Sequence, residues 1–288
     1  MEKYGCTVRK IRLNKGFSQK EIYTGILSKS FAIDFEKGNY DIKFCAMMRI
    51  LDRLMITTEE LLLIHNEYAA MPGCEPLMDI NLERLKSDPA YSLEVGNTLY
   101  ADAQASKTTA STLKYKEFLA LKAVYENSDY QKSQEFREAK KYIQRYLFDI
   151  ETWTFAECRI FSDMSFLFDE GEGLTSLFLT AWESLEKYKC HPDFSIYLAH
   201  LLVNNLYRLI RSGEYALAQR AIARGYELTA DINLLSWRTP LLYYEGLLCC
   251  RQGETEQGLA KIEKAKAIYR MSGHDFMAAQ MDIGLQAL

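Results

Sequence analysis

At an interval of forty residues the chain repeats itself, with Gly213-Glu214 falling on Gly253-Glu254, Ala218 on Gly258 and Ile222 on Ile262. The two copies are LYRLIRSGEYALAQRAIARGYEL, residues 206–228, and GLLCCRQGETEQGLAKIEKAKAIY, residues 246–269. A turn centred on Gly, flanked by helices whose small residues let them approach, makes a helical hairpin, the unit of a tetratricopeptide-like solenoid. A weaker third copy has Ser128-Asp129-Tyr130 as its turn before KSQEFREAKKYIQRYL. About five such hairpins would fill residues 77–288; an irregular helical bundle is the alternative. Only five prolines occur in 288 residues, and few runs alternate apolar and polar residues with period two. An all-α chain is predicted.

The segment AAMPGCEP, residues 69–76, interrupts the helical pattern with two prolines and a glycine and is expected to be a linker. Upstream, residues 1–68 read as five short helices. Residues 1–66 hold 11 Lys and Arg against 8 Asp and Glu, and the remainder 24 against 31. The first segment is thus mildly basic, as phosphate contacts require, and the rest is acidic. No apolar run approaches the roughly 20 residues of a membrane span, and the N-terminus lacks the apolar segment of a signal peptide, so a cytoplasmic protein is expected.

Seven cysteines, Cys6, Cys45, Cys74, Cys158, Cys190, Cys249 and Cys250, are scattered and odd in number, which suits reduced thiols. The adjacent pair Cys249-Cys250 lacks metal or redox spacing and reads as core. His65, His191, His200 and His274 are isolated from one another in sequence. No phosphate-binding glycine loop occurs, and GEG at 171–173 reads as a plain turn. Neither a metal nor a cofactor is expected, and no catalytic constellation is visible.

The specific signal lies near the N-terminus. Ser18, with Glu21 three residues later, forms a capping box that starts a helix, and after Gly25 a second cap at Ser28 opens KSFAIDFEKGN, with Gly38 as its stop. Two short helices joined by a tight turn form a helix-turn-helix, which presses the second helix into the major groove. Thr57 or Thr58 caps the last helix. Arg9, Arg12 and Lys15, at three-residue spacing, are candidates for phosphate contacts. Ser18, Gln19, Ser28, Lys29 and Ser30 are further candidates for touching DNA, the last two at the exposed start of the recognition helix.

These segments, VRKIRLNKGFSQKEI, LSKSFAIDFEKGNYDI and ILDRLMITTEEL, resemble the DNA-binding part of the Rgg/GadR/MutR family of Gram-positive regulators, a branch of the Xre-type helix-turn-helix group. YLFDIETWTFAECRIFSDMSFLF, centred on Trp153 and Glu157, is similar to a stretch of that family's repeat domain. The resemblance implies a cytoplasmic homodimeric regulator that binds double-stranded DNA and, in many members, a short signalling peptide in the repeat domain. This chain departs from the family pattern in its recognition helix, where Phe31 and Asp34 replace polar and basic residues. Phe31 either meets a thymine methyl or packs inward, and Asp34 either accepts from a cytosine amino group or faces water.

An extended peptide needs partners for its backbone amides, and Asn supplies both a donor and an acceptor. Asn204 and Asn205 sit within the apolar helix IYLAHLLVNNLYRLI, with at least one expected on a concave face, and the resemblance favours Asn204; both could instead cap a neighbouring helix or face water. Arg159, Tyr207, Arg208 and Tyr243 are looser groove candidates. Cys45 opens FCAMMRILDRL, where a thiol contact across a dimer competes with core packing beside Met48, the reading preferred. A protein-interaction scaffold whose helix-turn-helix binds no DNA is the competing function.

Overall fold

The computed structural model describes residues 3–68, 80–126, 129–168 and 172–286. Among them every regular element is a helix, and none is long and apolar enough to cross a membrane. The chain divides into two compact units, residues 1–83 and 84–288. The expected linker, Cys74 within it, and Ser128 of the third repeat lie outside the described residues. The boundary between the units falls just beyond that linker, within α6 (Leu82–Ser87).

Unit 1 contains α1 (Tyr4–Asn14), α2 (Gln19–Tyr23), α3 (Lys29–Glu36), α4 (Phe44–Leu54) and α5 (Thr58–His65). Side-chain oxygens set where the helices begin: Ser18 and Glu21 form the reciprocal box on α2, Ser28 accepts from the Phe31 amide, and Thr57 accepts from the Glu60 amide. Gly25, at φ +74, makes the turn between α2 and α3 in the left-handed region. The carbonyls freed at the end of α2 are taken up by α4. Arg53 donates to the oxygens of Ile22 and Thr24 at 2.9 and 2.8 Å, and Arg49 to that of Gly25 at 3.2 Å. A core of Val8, Ile11, Ile22, Phe35, Ile50 and Leu54 fills the centre. His65 joins the ends of the unit, stacking on Tyr4 at 4.2 Å with Nδ1 2.7 Å from the Thr7 hydroxyl. Cys45 departs from the preferred core reading: it is exposed at the start of α4, and its supposed neighbour Met48 is itself 43% exposed.

Unit 2 continues with α7 (Pro89–Ser106), α8 (Thr109–Glu126), α9 (Gln134–Asp149), α10 (Phe155–Asp163), α11 (Glu172–Glu186), α12 (Phe194–Arg211), α13 (Tyr215–Leu228), α14 (Arg238–Arg251), α15 (Thr255–Met271) and α16 (Asp275–Gln286). The forty-residue repeat is two hairpins, α12–α13 and α14–α15. Gly213 and Gly253 occupy equivalent turns at φ +83 and +92, with Glu214 and Glu254 as N-caps. Their interfaces differ in closeness. A Cβ on Gly258 would stand 2.6 Å from the Gly246 carbonyl oxygen and one on Gly246 2.7 Å from that of Gly258, so α14 and α15 touch backbone to backbone. The first hairpin carries Ala218 and Leu206 at those places. The Trp153–Glu157 stretch is structural: Trp153 is buried, Thr154 and Glu157 form a capping box on α10, and Glu157 accepts from the Tyr146 hydroxyl at 2.5 Å. The GEG turn is corrected in part, since Glu172 and Gly173 begin α11.

α1 crosses α3 at Gly5, where a Cβ would lie 1.8 Å from the Phe35 carbonyl oxygen. A backbone atom cannot rotate away as a side chain can. Gly5→Ala is therefore expected to destabilise unit 1 toward the top of the roughly 1–3 kcal/mol range for overpacking. Hydrogen exchange confined to unit 1 amides would register this; protection like that of wild type would contradict it.

Candidate nucleic-acid interface and ligand groove

The inward face of α3 carries Ala32, Phe35 and Glu36, all buried. The Glu36 carboxylate receives Arg12 Nε and Nη2 at 2.6 and 2.9 Å, Gln19 Nε2 at 2.7 Å and the Tyr23 hydroxyl at 2.7 Å. Burial opposes its ionisation, but the hydrogen bonds from Arg12, Tyr23 and Gln19 prevail and hold its pKa below the ordinary carboxylate range. Arg12 also donates to the Phe17 carbonyl at 2.6 Å.

Arg12 is therefore no phosphate contact, being 6% exposed and committed to an internal carboxylate. Its neighbours in the basic row differ: Arg9 is exposed, while exposed Lys15 sends its Nζ to the Leu54 carbonyl at 2.8 Å. Ser18 and Gln19 have internal partners too, the Ser18 hydroxyl donating to Glu21 at 2.6 Å and Gln19 to Glu36. Phe31 is half-exposed, stacks on the exposed Tyr40 with ring centroids 5.8 Å apart and borders a cleft with Ile26, Leu27 and Ile42.

What remains outward on α3 is Lys29, Ser30 and Lys37, exposed, and Ile33 and Asp34, half-exposed. Ser28, which caps the helix, is exposed at its start. Ile33 and Lys37 were missed from sequence, although helical spacing from the buried positions places both on this face.

In unit 2 a cavity of about 700 Å³ opens among α12, α14, α15 and α16. From α12 it is lined by His200, Val203, Asn204 and Tyr207, and from α14 by Pro240, Tyr243 and Tyr244, with Trp237 just before that helix. Tyr269 of α15 and Met277, Gln280 and Met281 of α16 complete much of the wall. Tyr243 is anchored by donating its hydroxyl to the Met281 carbonyl at 3.0 Å. Asn204 is exposed, with Nδ2 2.9 Å from His200 Nε2. The His200 ring lies edge-on to Trp237 at 5.7 Å and approaches Asp163 at 3.4 Å. Burial, then the nearby Arg159 charge, push the His200 pKa down to about 4, so the ring is neutral near pH 7.

Asn204, Tyr207 and Tyr243 thus line the cavity, and the other three groove candidates do not. Asn205 is fully buried and donates to the Leu201 carbonyl at 2.9 Å. Arg159 pairs with Glu117 at 2.9 Å and Asp163 at 3.2 Å behind the wall. Arg208 is half-buried and donates to the Phe168 carbonyl. Burial pushes the Glu117 and Asp163 carboxyls up despite the opposing pull of Arg159. His200 is isolated from the other histidines in sequence, yet it stands one turn before Asn204, at the spacing that puts two side chains on one helix face. Among the described residues no group of three His, Cys, Asp or Glu side chains is placed to hold a metal ion.

Residues 97–283 match the sequence profile described as HTH-type transcriptional regulator Rgg, C-terminal domain. Among solved structures, a candidate transcriptional regulator from Listeria monocytogenes EGD-e is 26% identical, with a TM-score of 0.79 over 99% of this chain and 96% of that one. The SHP pheromone receptor Rgg2 from Streptococcus dysgalactiae is 18% identical, with a TM-score of 0.69 over 99% of each chain. ComR from S. thermophilus, solved with DNA and its signalling peptide, is 11% identical, with a TM-score of 0.60 over 99% of each chain. The last two likenesses concern the fold alone. A comparison with curated proteins returned no match.

Glu36→Gln would leave the Arg12 charge buried without its counter-charge and is expected to cost about 3–5 kcal/mol. Because the folded pKa of Glu36 lies below its unfolded value, its stabilisation is present above the unfolded pKa and fades as pH falls through the folded one. Urea titrations from neutral to acid pH should show that dependence in wild type and not in the variant. His200 is a base, cationic only when protonated, with its pKa lowered from 6.5 to about 4. The unfolded chain takes up that proton first, so stability falls as pH drops through this window. Comparison with His200→Gln should isolate a loss of roughly 3 kcal/mol; parallel pH curves would refute it.

Proposed function

Given that the chain belongs to the Rgg family of transcriptional regulators, we propose that it is a cytoplasmic homodimer that binds specific double-stranded DNA through α3 and takes a short signalling peptide into the cavity of unit 2. The observation that carries the reading is the disposition of α3. Its buried side is pinned by Glu36, and its outward side offers Lys29, Ser30 and Lys37 to a polyanion. Two such heads related by a twofold axis would meet half-sites about one helical turn apart. The cavity supports the peptide half of the proposal. Tyr and Trp rings supply apolar walls, and Asn204 supplies an amide able to pair with a peptide backbone. Both Rgg2, a pheromone receptor, and ComR, solved with DNA and peptide, share this fold. No catalytic role is assigned.

A peptide can change DNA binding only by favouring one arrangement of the dimer, and a differential of about 1–3 kcal/mol suffices for a modest switch. If DNA is the partner, affinity falls steeply with salt, and Lys29→Ala or Arg9→Ala weakens binding on every sequence while lowering the salt slope by about 1. Fluorescence anisotropy on duplex DNA decides this, and a salt-insensitive result would favour a protein-binding scaffold. For the cavity, a pooled library of short apolar synthetic peptides screened by thermal shift should yield a binder. Asn204→Ala should then lose roughly tenfold in its affinity with the fold intact.

A further inference from the structure

Two half-exposed side chains of α3 do not fit a helix that only grips phosphate. Lys29 and Lys37 flank it as cations, but between them stand Ile33, wholly apolar, and Asp34, of the same sign as DNA. Both are half-exposed, and neither is called on by the core, which Ala32, Phe35 and Glu36 serve. The Nδ2 of Asn39 lies 3.4 Å from Asp34 Oδ1, a long contact at the surface, while no hydrogen bond to a described residue occupies Oδ2.

The chemistry of base edges narrows what each could meet. A carboxylate only accepts hydrogen bonds, so guanine N7 and O6 and thymine O4, all acceptors, repel it. Adenine offers an amino group, but its N7 acceptor stands beside it. Cytosine offers an amino group with no neighbouring acceptor on its major-groove edge, and is the one base a carboxylate there can favour. An aliphatic side chain on the same face finds its only apolar partner in the thymine methyl. Phe31, the other half-exposed apolar residue of the helix, stacks on Tyr40, so this contact is assigned to Ile33.

We propose that Asp34 and Ile33 set the operator preference of this protein, Asp34 accepting from a cytosine amino group and Ile33 covering a thymine methyl within the same half-site. The proposal rests on the DNA-binding reading above and adds to it the identity of two base pairs. Lys29 and Lys37 would offset the repulsion between the carboxylate and the phosphates.

The test is selection of bound fragments from random duplex DNA by the full chain, in parallel with Asp34→Ala, Asp34→Asn and Ile33→Ala. Both positions are on the surface, and unchanged thermal melting confirms that each variant folds. The wild-type motif should contain one cytosine position whose preference, roughly fivefold or more, vanishes with Asp34→Ala. With Asp34→Asn it should move toward adenine, which asparagine pairs with two bonds. Replacing the selected thymine by uracil removes only the methyl, and should weaken wild type several-fold but leave Ile33→Ala unaffected. A wild-type motif that every variant reproduces unchanged would overturn the proposal while sparing the DNA-binding reading. If wild type enriches no sequence and shows no salt-dependent DNA affinity, the reading itself falls, and the proposal with it.

Discussion

The buried carboxylate of Glu36 is what the geometry of unit 1 depends on. It sits on α3 and accepts from Arg12 of α1 and from Gln19 and Tyr23 of α2, so three helices converge on a single charge. Apolar packing tolerates small rotations of a helix about its own axis, because side chains of similar volume can exchange places. Directional bonds to a desolvated charge are less forgiving, since a partner lost leaves a charge with neither water nor counter-ion. With Glu36 fixed inward and Gly5 against the Phe35 carbonyl, the rotation of α3 is set, and with it the row of residues that faces outward.

Much of this frame can be read from the chain. The caps at Ser18, Ser28 and Thr57 are local, each an oxygen and an amide a few residues apart, and spacing alone locates them. The glycine turns at 213 and 253 are equally local. Arg12 shows where such reading stops. A basic residue in a row with Arg9 and Lys15 has the same pattern whether it meets phosphate or an internal carboxylate, and the carboxylate that decides it is Glu36, far along the chain. Arg159 follows the same logic, being neutralised by Glu117 from α8, which no spacing rule connects to it. Asn204 and Asn205 are neighbours with opposite fates because consecutive helical positions point about 100° apart.

The cavity of unit 2 was legible in outline only. Its α12 wall belongs to one helix and follows from periodicity, but α14, α15 and α16 contribute the remaining aromatic and thioether groups through tertiary packing. The charged cluster of Glu117, Arg159 and Asp163 lies behind that wall, and the neutral ring of His200 stands between it and the cavity. The lining of the cavity is accordingly aromatic and amide-bearing, although a cation and two carboxylates are close by.

The backbone contact between Gly246 and Gly258 gives the two sides of this cavity unequal compliance. Where main chain meets main chain there are no rotamers to exchange, so the α14–α15 hairpin presents its tyrosines as a fixed template. The adjoining wall from α16, which Tyr243 meets at the Met281 carbonyl, carries Met277 and Met281, whose unbranched thioethers adapt to irregular shapes. The shape of the cavity is therefore fixed by the hairpin, and its give is supplied by α16.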